Sequence, residues 1–476
     1  MLGPIGRGAR QRWAAITSSA SGIGVAPENR PQGLSQRRAH PGVAHLAKCR
    51  RAAASRLKSW PDGSDSTIVA GRRHRDETQQ RVAELLQVAK RALGLSLTFL
   101  SRLDGQTQHL EVVESSIPLF RDGQTQPQET SFCQAILDGK LPPVIPDVSK
   151  LPEAKRLPAA RFPRIRSYVS VPVRLSDGTL YGTFCAAGFT ADRQLAERDR
   201  ALMEVLAQAA ATVIEPGVRE RERVADIRAR LDLVFEAGGP TIVMQPIVDL
   251  ATGARVGAEV LSRFPPEWER TPDVVFAEAA SIGAGTDLEL LVVRRAAEVL
   301  HTVSGYVAIN LSPDTLLSSR CARLLTGLPL ERVLLELSEH EPVEDYDALA
   351  DGLAGLRARG ARLAIDDVGA GFSSLRHIVL SAPDVIKLDR GIVTGVAGDP
   401  VLRTLARSLT DFAHEAGARV VAEGVETDAD AAALRDLGVD HGQGWYFGRP
   451  TTPDALRDDH PLPADEHLDD RVSAHR

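Results

Sequence analysis

The sequence predicts two folded domains: an α+β domain, followed by an α/β domain built as a (β/α)8 barrel with one antiparallel strand. Three observations support this prediction. The 476 residues leave room for about three domains, or for two large domains with tails. Hydrophobic residues make up 43% and charged residues 25% of the chain, as in ordinary soluble globular proteins. Helices bracket short strands in the first half, whereas strands and helices alternate from Thr241 onward.

The first 68 residues differ in composition from the rest. Arginines are scattered there among Gly, Pro, Ser and Ala, and Glu28 is almost the only acid. Such a stretch buries too little apolar surface to offset its ordering entropy, so we expect a disordered basic leader. Alternative interpretations are a basic arm for nucleic acid or acidic lipid, a targeting peptide, or a start codon assigned too far upstream.

Charge and composition exclude several classes of protein. The formal net charge of -6 gives no reason to expect a nucleic-acid polymer as partner. No run reaches the eighteen or so apolar residues of a spanning helix, so we expect a cytoplasmic protein without a membrane partner. Four scattered cysteines, with no CxxC pair, argue against a disulfide framework or a zinc site: Cys49, Cys133, Cys185 and Cys321.

The first domain is expected at residues 69–217. Its opening helix, ETQQRVAELLQVAKRALG, stops at Gly94 and carries an apolar stripe: Val82, Leu85, Leu86, Val88 and Leu93. Strands LSLTFLSRL and HLEVVESS join around Asp104-Gly105, and a second hairpin turns at Asp177-Gly178. The other expected elements are the helix SFCQAILDG, the strands PPVIPDV, SYVSVPVRL and GTLYGTFCAAG, and the closing helix ERDRALMEVLAQAAATVIE.

A charged helix with one apolar seam is expected at residues 218–236, either transmitting a movement between domains or serving as a plain spacer. The barrel domain follows at 237–458, with a disordered tail at 459–476. Its first two strands are joined by a short connection, Asp249 to Gly253, and are therefore close enough in sequence to be antiparallel. Eight strands are predicted: TIVMQPIVDL, RVGAEVLSRF, YVAINLS, RVLLELSE, RLAIDDVG, VIKLDR, RVVAEGVE and GQGWYFG.

Polar side chains recur toward the carboxyl ends of these strands, which barrel topology brings to one rim. Five carboxylates and one lysine would leave a net charge of about -4, and like charges 4 Å apart repel by roughly 4 kcal/mol at an effective dielectric of 20. Two divalent cations with oxygen ligands, Mg²⁺ or Mn²⁺, would balance that charge and suit phosphodiester hydrolysis. The residues are Glu259, Asn310, Glu336, Asp366, Asp367, Lys387, Glu423 and Gln443.

Eight motifs in this half resemble, in order, those of the EAL domain, a TIM-like barrel phosphodiesterase that linearises cyclic di-GMP to pGpG. They are MQPIVDLATG, GAEVLSR, AINLS, LLELSE, IDDVGAGFSSL, IKLD, VAEGVET and HGQGWYFGRP. The resemblance covers about Leu231 to Pro453 and implies cyclic di-GMP as substrate. No diguanylate cyclase motif accompanies it, so synthesis of the dinucleotide is not expected.

The resemblance also implies roles for individual residues. It implies that four residues are metal ligands, namely Glu259, Asn310, Glu336 and Asp366, and that Asp367 binds the second ion. Lys387 would contact the attacking water, and Glu423 and Gln443, with Glu259, complete the catalytic group. Glu339 would anchor the loop DDVGAGFSSL, and the substrate-contacting positions are Gln245, Arg263 and Asp389. Departures from the usual pattern are Val260, Val368, Ala370, Phe372 and His340, none of them an implied ligand.

The first domain resembles a GAF domain, a small-ligand and signal-sensing module, from about Asp76 to Glu215. The resemblance implies regulation of the barrel by a ligand that it does not identify, and a homodimer formed through the bracketing helices. Cys133 and Cys185 could be ligand or redox positions, although isolated cysteines on apolar elements are usually core residues. Two rival functions remain open: a non-catalytic cyclic di-GMP receptor acting through a partner, and a GAF module for which the barrel is a dimerisation platform.

Overall fold

The computed structural model describes residues 75–338, 343, 345–369 and 375–457, with no side chains for 375–377. The predicted leader and tail therefore lie outside the described residues. In chain order the helices are α1 Glu77–Leu93, α2 Phe132–Leu137, α3 Pro152–Arg156, α4 Pro158–Arg161, α5 Glu197–Glu236, α6 Pro272–Ser281, α7 Gly285–Val299, α8 Pro313–Leu317, α9 Ser319–Leu325, α10 Tyr346–Arg357, α11 Leu375–Ser381, α12 Arg390–Val393, α13 Pro400–Glu415 and α14 Asp428–Asp436.

A six-stranded antiparallel sheet forms the first domain, in the order β3-β2-β1-β6-β5-β4. α1 and α5 cover one face, where apolar side chains of β5 and β6 pack against them. α2 to α4 cover the other face. The α+β prediction is confirmed. The strands are β1 Leu97–Leu103, β2 Thr107–Ser115, β3 Gln124–Pro127, β4 Val144–Ile145, β5 Ser167–Arg174 and β6 Leu180–Gly188.

The apolar stripe predicted on α1 is wrong at one position. Val82, Leu86 and Leu93 are buried against the sheet, but Val88 is 41% exposed. Ala83 and Ala89 lie on the buried face instead, because small side chains let the helix approach the sheet closely. The buried face of α1 is therefore marked by alanines as well as by large apolar residues.

α5 is one continuous helix of 40 residues that includes both the closing helix and the charged segment after it. Its first half buries Met203, Ala210 and Ile214 on the sheet of the first domain, and its second half packs Ile227 and Leu231 against α6 and α7. By length and composition alone, α5 is long and apolar enough to cross a membrane. Core helices of soluble proteins meet the same two criteria. This helix connects the two domains without a break.

Eight strands close into a barrel in the order β10-β11-β12-β13-β14-β7-β8-β9. β7 pairs antiparallel with both of its neighbours, as predicted, and the other neighbouring pairs are parallel. The predicted last strand, GQGWYFG, is wrong beyond its first residue, since the chain turns away after Gly442. The strands are β7 Thr241–Asp249, β8 Arg255–Arg263, β9 Tyr306–Asn310, β10 Val333–Ser338, β11 Arg362–Val368, β12 Val385–Leu388, β13 Arg419–Ala422 and β14 His441–Gly442.

The barrel interior is layered, because side chains alternate between the two faces of each strand. An apolar layer of Ile247, Ala308, Leu334, Ala364, Val385 and Val421 packs across the middle of the barrel. Two residues further along each parallel strand, the inward positions become polar. The middle layer thus supports a polar layer at the carboxyl-terminal mouth, which is where barrel enzymes hold their active sites.

Candidate active site

Lys387 lies at the centre of the polar layer and is fully buried. Its Nζ contacts carboxylates from four other strands or strand ends. The distances are 2.7 Å to Glu423 Oε1, 3.0 Å to Asp366 Oδ2, 3.1 Å to Glu336 Oε1 and 3.6 Å to Glu259 Oε2. The structure therefore brings together the acids that the sequence places far apart.

The surroundings shift the pKa values of this group. Burial would lower the pKa of Lys387, but the attraction of Asp366 and the other three carboxylates outweighs it, so the pKa is raised and the ammonium stays charged. Burial raises the pKa of Glu336 well above its usual range, opposed by Lys387. Burial also raises the pKa of Glu423, to about 8. One ammonium is thus too little positive charge for the acids around it.

Amide side chains hold Glu259 in place. Asn310 Nδ2 donates to Glu259 Oε1 at 2.8 Å, and Gln443 Nε2 donates to Glu259 Oε2 at 2.6 Å. Gln443 Nε2 also reaches Gln245 Oε1 at 3.2 Å, and Gln245 in turn donates to the Gly448 carbonyl at 3.1 Å. These hydrogen bonds hold both carboxylate oxygens of Glu259 in place.

The carboxylates fit divalent cations. Oxygens of Glu259, Glu336 and Asp366 lie within 4.8 Å of one another, and so do those of Asp366, Asp367 and Glu423. Both oxygens of Glu336 are buried, and among the described residues neither has a hydrogen-bond partner beyond the ion pair of Oε1 with Lys387 Nζ at 3.1 Å. A buried carboxylate normally has donors or a cation, so these oxygens fit a ligand role. Two oxygen-rich groups that share Asp366 suit a pair of hard ions such as Mg²⁺ or Mn²⁺.

Asp367 has a left-handed backbone, with φ of 59°, which is uncommon for a residue other than glycine. Its amide donates to Asp366 Oδ1 at 2.8 Å, so the turn holds the shared carboxylate from the backbone. Backbone strain of this kind collects at functional sites, where the surrounding structure maintains it. Two consecutive acids can therefore both lie at the mouth instead of on opposite faces of β11.

A cavity of about 290 Å³ opens beside these side chains. Of the predicted substrate-contacting residues, Gln245 and Asp389 line it. Asp389 also caps α12 by accepting from the Gly391 amide at 2.8 Å. Sequence reasoning missed several residues of the cavity wall, because they fall within segments predicted as strands but lie beyond the actual ends of β12, β13 and β14. The missed residues are Arg390, Gly424, Glu426, Gly444 and Trp445.

One predicted residue is not brought into this group, and one is not described. Arg263 ends β8 on the surface, where its Nη1 donates to the Ser262 carbonyl at 2.9 Å. Glu339, expected to anchor the loop after β11, lies outside the described residues, as do Ala370 and Phe372 of that loop. All of the other predicted site residues are described and lie at the mouth.

Two family models match the chain, one described as EAL domain over residues 228–450 and one as GAF domain over residues 76–215. An uncharacterized protein of Mycobacterium tuberculosis (strain ATCC 25618 / H37Rv) is 30% identical over 245 residues, which are 48% of this chain and 80% of that protein. The probable cyclic di-GMP phosphodiesterase PdeB of Escherichia coli (strain K12) is 29% identical over 246 residues, covering 49% of this chain and 46% of that protein. The chain spans less than half the length of several curated relatives, from 30% to 46%.

Solved structures are similar to part of this chain. The PaMucR phosphodiesterase, in complex with c-di-GMP, is 26% identical, covers 48% of this chain and 99% of that chain, and has a TM-score of 0.44. BlrP1 of Klebsiella pneumoniae, in a manganese and cy-diGMP complex at pH 6, is 30% identical, covers 44% of this chain and 56% of that chain, and has a TM-score of 0.40.

Proposed function

The chain belongs to the EAL domain family, and from that premise we propose that its barrel hydrolyses one phosphodiester bond of cyclic di-GMP to give linear pGpG. The observation that carries the proposal is the gathering of four carboxylates around Lys387 beside an open cavity. Such a set has the charge for metal-dependent attack on phosphorus and the space for a substrate.

We assign the first cation to Glu259, Asn310, Glu336 and Asp366, and the second to Asp366 and Asp367. Glu423 is the third member of the second carboxylate group, and we assign it to the catalytic residues. Bound there, Mg²⁺ or Mn²⁺ would supply Lewis-acid stabilisation of the phosphodiester and a water of lowered pKa. Asn310 would have to turn its amide oxygen toward the ion, which requires giving up the hydrogen bond that its Nδ2 now donates to Glu259.

The remaining side chains of the site are proposed to bind the substrate and to orient the attacking water and the metal ligands. Lys387 Nζ has a fixed position between the acids, from which it can hold the attacking water by a hydrogen bond. Gln443 maintains the orientation of Glu259. Gln245 and Asp389 line the cavity and are proposed to contact the substrate, whereas Arg263 would have to swing from the surface to reach a phosphate.

The test is direct. Purified full-length protein is incubated with cyclic di-GMP and Mn²⁺, and pGpG is measured by chromatography and mass spectrometry. We expect product from the wild type and from Glu298→Gln, a control acid on the surface of the barrel with a side chain 65% exposed. We expect none from Glu259→Gln. Cyclic di-GMP that binds to the wild type but is never cleaved would overturn this proposal and establish the rival receptor function.

We further propose that the GAF domain regulates the barrel through α5, in a cytoplasmic homodimer without a membrane or nucleic-acid partner. The continuity of α5 from one domain into the other supports a mechanical connection. Deleting residues 1–220 should leave hydrolysis in place and remove its regulation. A barrel inactive after that deletion, though folded by circular dichroism, would favour the view that the GAF domain is the principal unit.

A further inference from the structure

Two thiols meet inside the GAF domain. Cys133 is the second residue of α2, Cys185 lies on β6, and 52 residues separate them in the chain. Their Sγ atoms are 3.3 Å apart, and the two residues are only 1% and 0% exposed. A disulfide bond is about 2.05 Å long, so closing the gap requires the sulfurs to move about 1.2 Å closer.

Polar groups surround this pair where an apolar core is usual. Gln108 Nε2 donates to Cys133 Sγ at 2.9 Å, the Tyr168 hydroxyl lies 3.1 Å from the same sulfur, and the Ser170 hydroxyl lies 3.2 Å from Cys185 Sγ. Donors aimed at a sulfur stabilise its thiolate, which is the form that reacts with oxidants. Two cysteines that served only as small apolar core residues would not need these polar neighbours.

The environments of the two thiols differ. Burial would raise the pKa of Cys133, but hydrogen bonds from its neighbours, Cys185 first among them, outweigh that effect and lower it. Burial raises the pKa of Cys185, and the adjacent Cys133 raises it further. Cys133 is therefore the more easily ionised thiol and the first to react with an oxidant, and the charge on it that raises the pKa of Cys185 is gone once Cys133 is a neutral sulfenic acid.

The network also reaches the surface. Gln126 Nε2 donates to Gln108 Oε1 at 2.6 Å, and Gln126 is exposed on the edge strand β3. A local opening of this four-residue edge strand would therefore expose Gln108 and then Cys133 to a molecule the size of hydrogen peroxide. Short edge strands open more readily than the centre of a sheet.

We propose that Cys133 and Cys185 form a reversible intramolecular disulfide when a hydroperoxide oxidises the GAF domain. The Cys133 thiolate attacks one peroxide oxygen, the O–O bond breaks, and the leaving hydroxide takes up a proton to become water. The Cys133 sulfenic acid is then attacked by Cys185, an S–S bond forms, and a second water leaves. In total the two thiols lose two electrons and two protons, and hydrogen peroxide becomes two molecules of water; a dithiol reductant reverses the change.

The test uses the full-length wild type. Native protein is treated with hydrogen peroxide, quenched, alkylated in denaturant with N-ethylmaleimide, digested without reductant and mapped by mass spectrometry. We expect the Cys133 and Cys185 peptides to appear linked, lighter by two hydrogen atoms than their sum, and separate again after dithiothreitol. Cys321 is buried in the barrel domain, where it is the one cysteine among the described residues, and it should remain alkylatable.

Two cysteine variants test whether the disulfide is specific to this pair. Cys185→Ser should leave Cys133 as sulfenic or sulfinic acid with no linked peptide, while Cys321→Ser should form the disulfide as the wild type does. Wild-type protein in which both cysteines stay alkylatable after peroxide, or in which Cys133 links to Cys49 instead, would overturn the proposal. None of these readouts uses hydrolysis, so they are independent of the function proposed for the barrel.

Discussion

Replacing Lys387 by methionine tests the electrostatic account of the active site most directly. The substitution keeps an unbranched side chain of similar length but removes the ammonium, which contacts four carboxylates at 2.7 to 3.6 Å. At an effective dielectric of 20, each of these contacts contributes about 5 kcal/mol of attraction when its acid is ionised, before desolvation is subtracted. Removing one partner from a buried ion pair costs about 3–5 kcal/mol in measured cases, because the other charge is left uncompensated.

We therefore expect Lys387→Met to lower the stability of the metal-free protein by about 3–5 kcal/mol, or the melting temperature of the barrel by roughly 6–20 °C. Mn²⁺ should restore more of this loss in the variant than it adds to the wild type, since the cations would then carry all of the compensating charge. Hydrolysis should stay abolished even with Mn²⁺, because the proposed contact to the attacking water is gone.

The assay is differential scanning calorimetry in EDTA and in Mn²⁺, with pGpG formation measured alongside. Lys140→Met is the matched control, since Lys140 is 68% exposed and, within the described part of the chain, forms an ion pair only with Asp138; it should cost less than about 1 kcal/mol. A Lys387→Met protein as stable as the wild type in EDTA would refute the reasoning, because it would mean that the four acids are already neutral or are held by other groups.

Three further predictions concern the same site. Mn²⁺ at a hundred times its dissociation constant should raise the unfolding free energy of the wild type by about 2.7 kcal/mol per site in calorimetry, and a melting temperature equal with and without the ion would contradict the cation assignment. Glu336→Gln keeps the shape of the side chain but removes its charge, and should reduce turnover about 100-fold, the equivalent of nearly 3 kcal/mol; activity matching that of Glu298→Gln would exclude a ligand role. Gly444→Ala would place a Cβ 2.1 Å from the Val425 carbonyl oxygen, so we expect displacement of the cavity wall and a loss of activity of about 100-fold, whereas Gly355→Ala, with open space around its Cβ, should hydrolyse normally.

Much of the fold could be predicted from the sequence because buried parallel strands and amphipathic helices leave distinct periodicities. The antiparallel β7 followed from the short connection after Asp249, and both predicted hairpins of the GAF domain are present. The errors have physical reasons. Val88 is exposed because Ala83 and Ala89 occupy the buried face of α1, and the stretch after Gly442 has the residues of a strand but turns to form the cavity wall.

The chemical identity of the candidate site was determined by the sequence alone, because acids and amides stand at successive strand ends and barrel topology must gather strand ends at one rim. Which atoms meet was decided only by the tertiary structure. Lys387 at the centre of four carboxylates and Cys133 against Cys185 are contacts between distant parts of the chain, set by barrel closure and sheet register. Local periodicity carries no information about either, since it records which face a side chain occupies and not which neighbour it meets there.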